Sequence, residues 1–216
     1  MMGKVAADIS MSLDGYVAGP DPTLEEPLGR NGERLHEWVI ELASWRASHG
    51  LEGGEENASS DLIAEGLAST GAVVMGRRMF SGGAGSWEDD PKAYGWWGDD
   101  PPFRKPVFVV THHEREPLVL GETTFTFVGG VEPAVEQATA AAGAKDVLVA
   151  GGASVAQQAV RAGLLDEMQL NLVPVLLGGG TRLLDNLASD IELERMFVLD
   201  SPSVTHIRYR VARHGR

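Results

Sequence analysis

Residues 145–154, Lys-Asp-Val-Leu-Val-Ala-Gly-Gly-Ala-Ser, limit how this chain can fold more than any other segment. They read as a short buried strand that breaks at Gly151-Gly152 and re-forms at once as a helix over residues 155–162. The first turn of a helix leaves backbone N–H groups unpaired and carries partial positive charge, so it attracts phosphate. Two glycines at the junction remove the Cβ atoms that would hold a phosphate away from the backbone. An ordinary tight strand–helix turn would use the same residues. A second junction of this kind, Ala72-Val73-Val74-Met75-Gly76-Arg77-Arg78, places two guanidinium groups where a strand ends. Together the two suggest a dinucleotide site.

The rest of the chain repeats the pattern. A first strand over residues 5–10 leads through Ser12-Leu13-Asp14-Gly15 into a short continuation, Tyr16-Val17-Ala18. Residues 19–32, rich in Pro, Gly and acid, read as loop. Asn31 is placed to cap a helix over residues 32–48, with Leu35, Trp38, Val39, Leu42 and Trp45 at helical spacing. A second helix is expected over 59–69, then the strand 73–75. Residues 81–105, with three Trp and many Gly and Pro, form a long loop of the sort that is functional or mobile. Strands follow at 106–110, 123–128, 146–150 and 168–176, and a helix over 132–142. Residues 193–199 and 204–211 pair as an antiparallel hairpin across Asp200-Ser201-Pro202-Ser203. Apolar strands alternating with helices indicate α/β: a mostly parallel central sheet flanked by helices on both faces, in one domain spanning residues 1–216. In such sheets ligands bind at the carboxyl ends of the strands.

Composition narrows the classes of partner. A formal charge of −13 repels nucleic acid and anionic membranes, so a phosphate-bearing ligand needs a locally basic pocket on an acidic body. The chain has no cysteine, which excludes disulfides, thiolate nucleophiles and cysteine-bound metals and suits a cytoplasmic location. No apolar run is long enough to span a bilayer, and the start does not read as a signal peptide.

The candidate site residues lie at the strand ends. Arg77 or Arg78 could grip a phosphate monoester bidentately, or both could be solvated. Thr111 and His112 could contact the same phosphate. The adjacent His112 and His113 diverge in an extended chain, which argues against a shared metal, and no other metal-ligand spacing is present. Gly151 and Gly152 read as pyrophosphate contacts, although their spacing is not the Gly-x-Gly-x-x-Gly fingerprint. Asp14 could hydrogen-bond a substrate or help deliver a proton; an Asp before Gly is also a routine turn former. Trp38 and Trp45 read as core or pocket wall, and Trp87, Trp96 and Trp97 as aromatics that pack on the body.

Met11-Ser12-Leu13-Asp14-Gly15, Val74-Met75-Gly76-Arg77-Arg78-Met79-Phe80, residues 106–111, Val149-Ala150-Gly151-Gly152-Ala153 and residues 172–180 occur in an order that resembles the dihydrofolate reductase-like family. The closest likeness is to the branch related to the reductase domain of riboflavin biosynthesis. The resemblance implies an NADPH-dependent reductase with a largely parallel eight-stranded sheet, an antiparallel C-terminal hairpin and a homodimeric state. It implies cofactor contacts at Gly76, Arg77, Arg78, Thr111, His112, Gly151, Gly152, Ala153 and Ser154, with a cis peptide at the glycine pair. Asp14 becomes the candidate catalytic residue. The Pro-Trp helix of true dihydrofolate reductases has no clear counterpart in residues 19–60, and no zinc-binding deaminase half is present. The expected activity is hydride transfer from NADPH to a pterin- or pyrimidine-like heterocycle. The alternatives are a stand-alone 5-amino-6-(5-phosphoribosylamino)uracil reductase, a nucleotide sensor without catalysis, and an unrelated interaction domain.

Overall fold

The computed structural model describes residues 3–83, 85–113, 115–185, 187 and 190–212. The chain divides into two compact units, residues 1–7 with 70–165 and residues 8–69 with 166–216. In the first unit the start of β1 (Val5–Ser12) lies beside β7 (Asp146–Gly151). Next in order come β3 (Thr70–Gly76), β4 (Pro106–Val110), β6 (Thr123–Val128) and β5 (Leu118–Leu120). Every pair in that series is parallel except β5 with β6. Two helices, α5 (Val131–Ala142) and α6 (Ala153–Arg161), pack on these strands. Parallel strands are covered on both faces, and Val73, Val74, Met75, Val107, Phe108 and Val109 are accordingly all buried. Phe80 and Phe125, both fully buried, meet edge to face with centroids 5.1 Å apart at the centre of this core.

The second unit orders its strands as β10 (Leu193–Ser201), β11 (Val204–Val211), β8 (Glu167–Val173) and the remainder of β1. β10 with β11 and β11 with β8 are antiparallel, so the expected C-terminal hairpin is present. β2 (Tyr16–Ala18) pairs with β9 (Thr181–Arg182), a two-residue strand too short to read from sequence. Among the described residues the main sheet holds nine strands, against the eight implied by the resemblance.

One expectation needs correcting. Residues 32–48 do not form a continuous helix. They break into a 3-10 turn, Gly32–Leu35, and two short helices, α1 (Glu37–Ile40) and α2 (Ala43–Ser48). Asn31 has φ 61° and makes no side-chain cap. Leu42 is extended, because the backbone on either side of it pairs with Glu55 rather than continuing the helix. The apolar periodicity nevertheless chose the right residues: Leu35, Trp38 and Leu42 are buried together with Val173 and Val204. The next helix, α3 (Ala58–Ser69), starts where expected to within one residue.

Beneath α3 lies a buried polar chain. Asn171 Nδ2 donates to Asp8 Oδ1 at 2.7 Å, which leaves Asn171 Oδ1 to accept from His206 Nδ1 at 2.7 Å. His206 Nε2 is then the acceptor for the Ser59 hydroxyl at 2.8 Å. Gln169 donates to Asp8 and accepts from the Arg208 guanidinium. Burial drives the Asp8 carboxyl up, against the opposing pull of Asn171, Arg208 and Gln169. Burial pushes His206 down to about 4, so its imidazole is neutral in the fold. As pH falls, the unfolded chain protonates this histidine first, near its ordinary value, and the native state follows only near pH 4. The native state therefore loses up to about 3 kcal/mol between these limits. Asp8 acts in the opposite sense, since protonating it relieves the cost of burial. Thermal melts between pH 7 and 4 should show a steeper fall for the wild type than for His206→Gln. Parallel curves would exclude His206 as the source.

Candidate functional site

Three strand ends of the first unit lie side by side, with Met75 registered against Gly151 and Gly76 against Val110. At the first of them β7 ends, and α6 begins one residue later with Gly152 as its N-cap. Val155 and Ala156 both donate to Gly152 O, so the N–H groups of Ala153 and Ser154 fall in the part of the turn that has no intrahelical acceptor. The Gly151–Gly152 peptide is cis, and Gly151 has φ 130°, a region in which L side chains are strained. A Cβ on Gly76 would sit 3.1 Å from Val155 Cγ2 and 3.6 Å from the Gly152 nitrogen. The two glycine junctions picked out in the sequence thus meet at one place, and Gly76 leaves the Gly152 amide uncovered.

The two arginines that follow have different environments. Arg77 opens α4 (Arg77–Ser81) and is 7% exposed. Its guanidinium donates to Asp90 Oδ2 at 2.9 and 2.6 Å and to Ser81 Oγ at 2.7 Å, while Ser81 Oγ also donates to the same carboxylate oxygen. It lies flat on the Trp87 ring, 3.3 Å from the centroid. Burial lowers the Arg77 pKa, with Asp90 opposing and Arg115 adding to the shift. The Arg77 side chain is therefore spent inside the protein. Arg78 is exposed. The long loop 81–105 supplies Asp90 and Trp87, so its function includes anchoring Arg77.

Thr111, just after β4, is buried; its N–H donates to Val128 O, and its Oγ1 accepts from the His113 N–H. His112 is exposed beside it. These residues line a cleft of about 720 Å³ together with Arg115, Glu116, Phe127 and Gly129. Arg115 was not anticipated from sequence. It lies over the Trp87, Phe127 and Tyr94 rings at 4.6, 4.9 and 5.6 Å and donates to Ala93 O. Trp87 Nε1 in turn donates to His113 O, which ties the long loop to the cleft wall. A basic residue just past a strand end, preceded by a tryptophan-rich loop, was the available signal.

Asp14 belongs to the second unit. Its Oδ1 accepts from Ser12 Oγ at 2.6 Å and Leu177 N at 3.1 Å, and its Oδ2 accepts from Gly178 N at 2.8 Å. Ser12 Oγ also accepts from Tyr16 N. The Ser12 hydroxyl, followed by the Gly178 and Leu177 amides, lowers the Asp14 pKa to about 2 against a smaller desolvation effect. The carboxylate thus clamps the glycine turn after β8. In that turn a Cβ on Gly180 would sit 2.0 Å from Ala18 O. Leu13 and Leu176, 68% and 70% exposed, flank this segment.

Among the described residues no three His, Cys, Asp or Glu side chains gather to hold a metal, and no helix is long and apolar enough to cross a membrane. The model of the RibD C-terminal domain family matches residues 3–205. No curated protein matches the chain. A solved structure of a putative riboflavin biosynthesis protein from Shewanella sp. PV-4 is 22% identical, with 97% of this chain and 99% of that one covered and a TM-score of 0.65. A deaminase and 5-amino-6-(5-phosphoribosylamino)uracil reductase from Thermotoga maritima is 13% identical, with 98% of this chain aligned to 57% of that one and a TM-score of 0.57. The riboflavin biosynthesis reductase of Saccharomyces cerevisiae is 12% identical, with 98% and 90% covered and a TM-score of 0.52. At these identities the likeness is one of fold.

The contrast between the arginines is measurable without a ligand. Arg77→Ala leaves Asp90, whose side chain is 2% exposed, without its counter-ion and should destabilise the protein by about 3–5 kcal/mol in chemical denaturation. Arg78→Ala should stay within about 0.5 kcal/mol of wild type. Equal effects would mean that Arg77 is not the anchor described.

Proposed function

The chain belongs to the RibD C-terminal domain family, and from that membership we propose that it is an oxidoreductase using NADPH to reduce a pyrimidine-like heterocycle. The reading takes residues 1–216 as one reductase domain. The substrate favoured is 5-amino-6-(5-phosphoribosylamino)uracil or a close relative, the compound named for the Thermotoga maritima relative. The observation that carries the cofactor assignment is the meeting of Gly76 with Gly151-Gly152, which leaves a backbone amide bare beside a helix start.

Each residue has a defined part. The amides of Gly152, Ala153 and Ser154 would hold the cofactor pyrophosphate, approached through the space that Gly76 and Gly151 leave free. Arg78, exposed at the start of α4, would add charge to the same group. Arg77 contributes by fixing α4 through Asp90 rather than by touching phosphate. Thr111 and His112 would face the adenosine end in the cleft beyond β4. When bound, the reduced nicotinamide supplies the hydride; the protein's work is orientation and charge.

Asp14 is proposed as a positioning residue on the substrate side. A carboxylate held well below the usual range, at about 2, by the Ser12 hydroxyl and the Gly178 and Leu177 amides is almost wholly ionised at neutral pH and is poorly suited to donate a proton. Its role is to hold the turn at Leu177 and Gly178 so that the exposed Leu13 and Leu176 present a fixed apolar rim. Asp14→Asn should raise KM more than it lowers kcat, and the acid limb of the wild-type kcat profile should contain no group titrating as Asp14. A shift of that limb in Asp14→Asn would restore a proton-transfer role.

The direct test is NADPH oxidation with a panel of amino-uracil and pterin substrates. Consumption that depends on a pyrimidine substrate supports the reading. Tight NADPH binding without turnover across the panel would favour a sensor.

The protein is further proposed to work as a cytoplasmic homodimer. β10 is an outer strand with Leu193, Met196 and Val198 40–48% exposed, an edge that gains from being covered. Sedimentation should give a dimer that Val198→Lys weakens; a monomeric wild type at micromolar concentration would end that proposal.

A further inference from the structure

We infer that Lys105 is a site of reversible carbamate formation with dissolved carbon dioxide, placed at the amino ends of the parallel strands and supported there by Lys145. The inference is independent of the reductase reading and concerns the opposite end of the sheet from the glycine junctions. The seven residues of β3 separate the two ends by roughly 20 Å.

The chain has four lysines, and three of them immediately precede strands of the first unit. Lys4 stands before β1, Lys145 before β7 and Lys105 before β4. The order β1-β7-β3-β4 therefore sets them along one edge of the sheet. Lys105 and Lys145 flank the start of β3 from its two sides. Lys105 Nζ donates to Thr70 O at 3.1 Å, and a Cβ on Gly71 would lie 2.8 Å from Lys145 Cβ. Next to them in the chain stand Asp146, whose Oδ1 accepts from Lys4 N, and Arg104, paired with Asp100 at 3.0 Å.

A surface lysine keeps its ammonium in water, as the exposed Lys92 does. Lys105 is half-buried, and its nitrogen is drawn in against a main-chain carbonyl. Burial, and after it the charge of Lys145, lowers its pKa. Desolvation beside a second cation turns a lysine into a nucleophile, because the neutral amine carries the lone pair. A neutral amine has two N–H groups, so it can still donate to Thr70 O with that lone pair unused.

Carbon dioxide suits this nucleophile. It is small and uncharged, so neither burial nor positive surroundings oppose its approach. The Nζ lone pair attacks its carbon, an N–C bond forms, and one C=O π pair moves onto oxygen. The nitrogen then gives up a proton to the solvent buffer, and nothing is oxidised or reduced. The product is a carbamate, so a cation at Lys105 becomes an anion. Lys145, which opposes the ammonium, attracts the carbamate. The neighbour that weakens the amine as a base thus stabilises its product.

The test is carbon-13 NMR of the full chain in labelled bicarbonate at mildly alkaline pH, against an unlabelled sample. One carbamate resonance beyond that of the α-amino group is expected. Lys105→Arg, which keeps the charge and a donor for Thr70 O, should abolish it, and Lys92→Arg should leave it unchanged. Lys145→Gln should lower its occupancy several-fold at the same bicarbonate concentration. No such resonance at saturating bicarbonate, a resonance that survives Lys105→Arg, or an occupancy unmoved by Lys145→Gln overturns the inference. If Lys105→Arg does not fold, wild type decides alone: the carbamate is alkylated with a trialkyloxonium salt and the peptides are mapped by mass. Added mass on Lys105 supports the inference; added mass on Lys4, Lys92 or Lys145 instead, or on none of them, refutes it. NADPH turnover enters none of these readouts, so failure here leaves the reductase reading standing.

Discussion

The close approach of β3 to the turn that follows β7 is the constraint on which the proposed chemistry depends. A Cβ on Gly76 would press on Val155 Cγ2 at 3.1 Å and stand 3.6 Å from the Gly152 nitrogen, and Gly151 takes a φ of 130° that L side chains rarely adopt. A phosphate needs such a place: N–H groups pointing outward from a helix start, with nothing in front of them. The parallel register from Val147 to Gly151 against β3 holds these groups in place. Rigidity comes from the apolar strands behind, where Val73, Val74, Met75, Val147 and Val149 are all but inaccessible. Core and site are therefore the same strands read at different positions, buried along their length and open at their ends.

Beside that opening the protein places two arginines and uses each differently. Inside, Arg77 is costly to bury and is stabilised by Asp90, Ser81 and the face of Trp87. That arrangement fixes loop 81–105, which would otherwise be too polar and glycine-rich to settle on the sheet. Once Trp87 is fixed, its ring and the Phe127 ring provide a seat for Arg115. A buried ion pair thus helps to place a half-buried cation on the same tryptophan. In a chain as acidic as this one, such ordering matters more than the number of basic residues, since most of them are screened or paired at the surface.

Much of this was legible in the sequence, for reasons that differ along the chain. The strand at 106–110 announces itself as an unbroken apolar run, 146–150 as an apolar run after Asp146, and 123–128 by its alternation of Thr with Phe. The glycine junctions were legible because few residues suit φ 130° or a missing Cβ. The segment 32–48 was misread as one helix because its apolar spacing records which residues are buried and not whether the backbone between them is continuous. Leu42 is extended through pairing with Glu55, a partner no local pattern reveals. Arg77 and Arg78 look equivalent in sequence, and only the position of Asp90, thirteen residues on, separates them. Arg115 is set apart from other basic residues by the Trp87, Tyr94 and Phe127 rings it lies over, which only the weak signal of a tryptophan-rich loop announces.

The state of Asp14 also constrains where the proton of the reduction can come from. A group that accepts from Ser12, Leu177 and Gly178 at once is stabilised as an anion, and each of those bonds leaves it less often protonated at neutral pH. A catalytic carboxylic acid needs the reverse, an apolar surrounding that raises its pKa toward the working range. Asp8 is the carboxyl whose pKa is raised, but its oxygens already accept from Asn171 and Gln169 within the polar chain under α3. Neither Asp14 nor Asp8 is thus arranged to give a proton to a substrate. The clamp at Asp14, and in the other unit the amides at Gly152, suit holding a group in place rather than moving a proton.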